Sequence, residues 1–190
     1  MSASAMGNAL WQKQTKANAE LFALTYGAMV GELVRDLETS EKIHEELDRM
    51  GHSMGVRCIE EFLAKTAVEN IQASFVRAAT FADTASIIQA AFKMFLGVTA
   101  ETKIASETSF SMTMVDNPLQ IFVELPAERA ESLEYSQLLC GMIRGMLEML
   151  QYDVNCRMVQ SQLKGHETNE IVVDLKQVLQ EGAGEDYHEE

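Results

Sequence analysis

The chain has 190 residues, of which 47% are apolar, 12 are Met and only 2 are Pro, and it carries a formal net charge of −14. That length fits one domain with a sizeable core, and the Met content suits an adaptable interior, because unbranched thioethers fill irregular gaps. The acidity excludes a phosphate-reading nucleic-acid binder and broad adhesion to an anionic membrane, since both need a basic face.

Residues 1–17 are small and polar and read as a flexible segment with Trp11 as a local anchor. A first helix is expected over 18–37, with Leu21, Phe22, Leu24, Met29, Val30, Leu33 and Val34 as its apolar stripe. Ser40 is placed to cap a helix over 41–50, where Ile43 and Leu47 repeat at i, i+4. Gly51 marks a bend, and a longer helix resumes over 53–67. Residues 68–81 carry no clear period. Asp83 or Thr84 is placed to cap a nearly all-apolar helix over 85–96, which Gly97 stops.

The period then changes to two. Phe110, Met112 and Met114 alternate with Ser111, Thr113 and Val115, which is strand behaviour, and 98–105 is a weaker strand able to pair with it. Asp116-Asn117-Pro118 is a turn. Val154, Cys156 and Met158 open a third strand, Lys164-Gly165-His166-Glu167 is a hairpin connection, and Ile171, Val173 and Leu175 mark a fourth strand. Between the two pairs lies a helix over 135–150 that is apolar on nearly every side yet holds Gly141 and Gly145. Each glycine costs about 1 kcal/mol against alanine, so the pair calls for a close approach. With Cys140 they form a narrow strip against which another backbone, or a slender ligand, can lie. Arg144 on this helix needs a partner: Glu148, carbonyls at a helix end, or a subunit interface. The whole predicts an α+β domain over 18–180, a helical layer on an antiparallel sheet of about four strands, followed by an acidic tail over 181–190.

Reactive groups are scattered. His44, His52, His166 and His188 do not share one element at metal-ligand spacing, and there is no phosphate-cradling glycine loop or nucleophile elbow. Adjacent Glu60 and Glu61 point about 100° apart on a helix, which is poor for paired acid–base work. No enzyme is expected, nor a cofactor or metal. The first ten residues lack a secretory pattern, no stretch reaches the roughly 20 apolar residues that span a bilayer, and Cys58, Cys140 and Cys156 make neither a disulfide framework nor a zinc pattern. These features predict a cytoplasmic chain with reduced thiols.

Six segments carry a further signal in their order. They are Glu20-Leu21-Phe22-Ala23-Leu24-Thr25-Tyr26-Gly27, Gly55-Val56-Arg57-Cys58-Ile59-Glu60-Glu61-Phe62-Leu63-Ala64, Ala91-Phe92-Lys93-Met94-Phe95-Leu96, Asn117-Pro118-Leu119, Phe122-Val123-Glu124-Leu125-Pro126, and the run from Tyr135 to Met149. Together they resemble the Bet-three-type small subunits of the TRAPP complex, the transport protein particle, from about Met6 to the acidic end. The resemblance implies the NO-signalling/Golgi-transport ligand-binding type of α+β fold. It also implies dimerisation with related small subunits, assembly into a vesicle-tethering particle of ER-to-Golgi transport, and peripheral association with Golgi and ER membranes through that particle. In the family the particle is an exchange factor for a Rab-type GTPase, and this subunit contributes its C-terminal tail to the composite exchange site. The matching residues here are Gly182, Gly184, Glu185 and Asp186: the glycines give reach, and the acids would hinder return of Mg²⁺ or phosphate.

The family also carries an acyl chain, thioester-linked to a cysteine, in a hydrophobic tunnel. Ile71 stands where that cysteine would align, and an isoleucine cannot act as a nucleophile. Ala91 matches a small tunnel-lining residue, and Cys140, Gly141 and Gly145 would add small surfaces. The resemblance therefore leaves room for a non-covalent fatty acid such as palmitate, and for the alternative of a stand-alone lipid-binding protein.

Overall fold

The computed structural model describes residues 2–68 and 80–179. Ile71 and the tail from Gly182 to Asp186 lie outside the described residues. Among the described residues, five α-helices, α1 (Ala3–Lys13), α2 (Ala19–Asp36), α3 (Ser40–Val68), α4 (Phe81–Leu96) and α5 (Gln137–Met149), pack with four strands, β1 (Ala100–Ser106), β2 (Ser109–Met114), β3 (Tyr152–Gln160) and β4 (Asn169–Val178). The strands form one antiparallel sheet in the order β1-β2-β4-β3. The last strand therefore lies between β2 and β3, pairing with β2 through Phe110↔Val173 and Met112↔Ile171. The alternation seen in the sequence sends Phe110, Met112, Ile171 and Val173 to the buried face, where α4 lies on β1 and β2 and α5 lies on β3.

Four local expectations are corrected. Residues 3–13 form a helix rather than a flexible stretch. Ser2 caps it, and its Met6 and Leu10 are fully withdrawn from water against α4. Gly7 lets α1 come close there, since a Cβ would meet the Lys93 side chain. Gly51 does not bend the chain, because α3 runs unbroken through it. Thr39 rather than Ser40 accepts a backbone N–H at its start, from Lys42 at 3.4 Å. The cap of α4 is Thr80, in a reciprocal capping box with Asp83 that extends the helix to Phe81. Gly97 ends α4 as expected, in the left-handed conformation (φ 69°).

Asn117 anchors the turn after β2. Its Oδ1 accepts from Leu119 N at 3.1 Å and its Nδ2 donates to Ser136 Oγ at 3.0 Å. Gln120 then links Ser136 to the fully buried Asn169 of β4, so the buried polar groups of turn, sheet and α5 satisfy one another.

Candidate functional site

Helices α3 and α5 meet backbone to backbone. A Cβ on Gly141 or Gly145 would run into the carbonyls of Asp48 and His52, and a Cβ on Gly51 or Gly55 into those of Leu138 and Met142. Each helix therefore offers two glycines, four residues apart, to the other. Of the two occupants the sequence allows for the α5 strip, the second backbone is the one present. Gly141 and Gly145 face α3 and leave no gap there for an acyl chain. Cys140 and Ala91 are fully buried. Burial pushes the Cys140 thiol far up, with the Met158 backbone of β3 beside it. None of the four residues lines the cavities described below.

Polar pairs flank the crossing. Arg144 pairs with Asp48 of α3, not with Glu148, and Gln137 Nε2 donates to the same carboxylate at 3.3 Å. Glu148 instead takes His52 Nε2 at 2.7 Å. Glu134 N–H donates to His44 Nε2 at 2.7 Å, and the Glu134 carboxylate holds Lys164 at 3.0 Å. Burial, the largest cause, holds the His44 pKa below its ordinary 6.5. Among the described residues no cluster of His, Cys, Asp and Glu could hold a metal ion, and no helix is long and apolar enough to cross a membrane.

The outer side of α2 differs from its sequence reading. Its buried contacts come from Ala23, Tyr26 and Val30, whereas Leu21 and Leu24 are 65% and 56% exposed and Phe22 also faces solvent. Apolar residues at 21, 22 and 24 alongside 23, 26 and 30 cover more than one stripe, and that breadth is the signal that the helix is apolar on two sides. Phe22, Met29, Met50 and Met54 line a groove of about 380 Å³ whose rim carries Arg49 and Arg57. A second cavity, of about 340 Å³, lies beneath Trp11 and is walled by Phe22, Met54, Cys58, Met94 and Met142. Burial raises the Cys58 thiol there to about 11, so little thiolate exists at neutral pH.

Tyr26 donates its hydroxyl to the Tyr135 carbonyl, and the two rings meet edge to face at 5.0 Å. This contact sets α2 against the start of α5 and positions both faces of α2.

Residues 22–174 match the family model described as transport protein particle (TRAPP) component. The chain is 45% identical over 184 residues to the transport protein particle subunit bet3 of Schizosaccharomyces pombe, covering 95% of this chain and 96% of that one. It is 44% identical over 177 residues to the trafficking protein particle complex subunit 3 of Dictyostelium discoideum, covering 92% and 91%. Among solved structures, a trafficking protein particle complex subunit 3 from Naegleria fowleri, covalently bound to palmitic acid, superposes with a TM-score of 0.78 at 41% identity. That superposition covers 86% of this chain and 98% of the other.

Proposed function

We propose a scaffolding role in vesicle transport for this chain, which belongs to the transport protein particle (TRAPP) component family. The observation that carries the finer reading is the outer face of α2. Leu21 and Leu24 expose apolar surface on α2, and the adjoining groove of Phe22, Met29, Met50 and Met54 lies beside Arg49 and Arg57, with no described element covering either. An apolar centre with arginines at its margin has the composition of a subunit interface. In this reading the face holds a related small subunit, and the chain has no catalytic activity of its own. Residence is cytoplasmic, at Golgi and ER membranes, through the particle. Replacing Leu21 and Leu24 by Asp tests the reading, because both side chains are more than half exposed. Loss of the partner with unchanged thermal stability supports it, and full assembly of the double variant rejects it.

The C-terminal tail is proposed to enter the nucleotide site of a Rab-type GTPase, with Gly182 and Gly184 supplying reach and Glu185 and Asp186 supplying negative charge.

A second reading concerns lipid. The cavity beneath Trp11 and the palmitate of the Naegleria relative favour a bound fatty acid. Ile71 offers no nucleophile and Cys58 is held as the thiol, so the ligand would be free rather than thioester-linked. Native mass spectrometry decides this: an added fatty-acid mass that dissociates without hydroxylamine is expected, and a hydroxylamine-sensitive adduct rejects the non-covalent reading.

A further inference from the structure

Arg49, Ser53 and Arg57 stand four residues apart on α3 and line the groove beside α2. They form one row along the helix, with steps of about 6 Å at the helical rise. Met50 and Met54 supply apolar lining beside the row. Arg57 is exposed and has no hydrogen bond or ion pair among the described residues, and neither does the Ser53 hydroxyl. Arg49 gives Nε and Nη2 to one oxygen of Glu46, at 3.1 and 2.7 Å, which leaves Nη1 for a second carboxylate. On a chain of net charge −14, two guanidinium groups along one edge of an apolar groove mark that edge for an anion.

The chain itself supplies one with matching spacing in Glu185-Asp186-Tyr187-His188-Glu189. In an extended segment alternate side chains share a face and repeat about every 6.7 Å. Glu185, Tyr187 and Glu189 then keep step with Arg57, Ser53 and Arg49. A tyrosine between two carboxylates meets methionines between two guanidinium groups, and sulfur on an aromatic ring is a favourable contact. The path is short enough. Asp48 meets Gly141 and His52 meets Gly145, so α3 and α5 run in the same direction. Leu179, the last described residue, donates its N–H to Gln151 O at 2.8 Å, just past the end of α5. Gln151 is six residues beyond Gly145 and Arg57 is five beyond His52, about 9 and 7.5 Å along the two helices. They therefore stand at similar heights. The six-residue step from Leu179 to Glu185 reaches up to about 20 Å, enough to pass a helix about 10 Å across.

We propose that residues 185–189 dock along this row in the unassembled chain, with Glu185 on Arg57, Tyr187 over Met50 and Met54 beside Ser53, and Glu189 on Arg49. The groove belongs to the face read above as a subunit interface. On that reading the docked segment is a self-occupant that a related subunit must displace. Displacement would also free the same residues for a GTPase, which ties their release to assembly.

Nuclear Overhauser contacts between the Tyr187 ring and methionine methyl groups, measured on the full chain without a partner, test the docking. Contacts to Met50 and Met54 are expected, and none to the fully buried Met112 and Met146. Arg57→Glu should remove the contacts, and adding Glu185→Arg should restore them, because the ion pair is rebuilt with its charges exchanged. Absence of the contacts in the full chain would overturn the proposal, as would contacts that survive Arg57→Glu. Contacts that vanish on dilution would overturn it too, by placing the segment on a second copy of the chain. The interface reading is tested apart from this. If it holds, Tyr187→Ala should tighten binding of a related subunit about threefold or more, through the larger competent fraction. Docking contacts with unchanged subunit affinity would support the docking and reject the interface reading alone.

Discussion

Gly51 of α3 rests directly on the carbonyl of Leu138 in α5, and Gly141 of α5 rests on the carbonyl of Asp48. The obstacle in both cases is backbone, which cannot swing aside as a side chain does. Gly51→Ala and Gly141→Ala should therefore each cost about 3 kcal/mol or more, the upper range for overpacking. Gly31→Ala is the counterpart, with open space around it, and should stabilise by about 1 kcal/mol. Urea denaturation of the three variants checks both signs.

The polar pairs beside that crossing make a second prediction. Asp48→Asn leaves the Arg144 guanidinium partly buried with a weaker acceptor and should cost about 2 kcal/mol. Adding Arg144→Met should recover part of that loss. A double-mutant cycle that shows simple additivity would mean the two groups are not coupled.

His44 makes the fold sensitive to acid. Its Nε2 accepts the Glu134 N–H and must be unprotonated to do so. Because burial lowers its pKa from 6.5, the unfolded chain binds the proton more tightly. The stabilisation is therefore fully present above about pH 6.5 and is lost as pH falls through the lowered folded value. His44→Gln should flatten this part of the stability–pH curve below about 6.5, and a variant curve parallel to that of the wild type would exclude the role.

Removal of residues 182–190 addresses the proposed exchange site. Nucleotide exchange by the assembled particle should slow while subunit recovery stays constant. An unchanged rate would leave the tail without a part in exchange.

The sheet was readable because Phe110–Met114 and Ile171–Leu175 alternate with period two, a signal that depends only on local geometry. The strand order was not, because the placement of β4 beside β2 is a long-range contact with no local mark. Gly141 and Gly145 pointed to a close approach. Their counterparts Gly51 and Gly55 carry the same four-residue spacing, but Gly51 reads equally well as a helix break when α3 is taken alone. Periodicity finds apolar faces without telling which face meets the core, so Leu21 and Leu24 counted with Val30 although solvent covers them.

The measurement that bears most directly on the function is affinity purification of the full chain from native cytosol, with mass spectrometry of everything retained. Near-stoichiometric recovery of related small subunits is the predicted result, lost when Leu21 and Leu24 are both changed to Asp. Recovery of the chain alone with a bound fatty acid would reject the scaffold reading and make lipid binding the function.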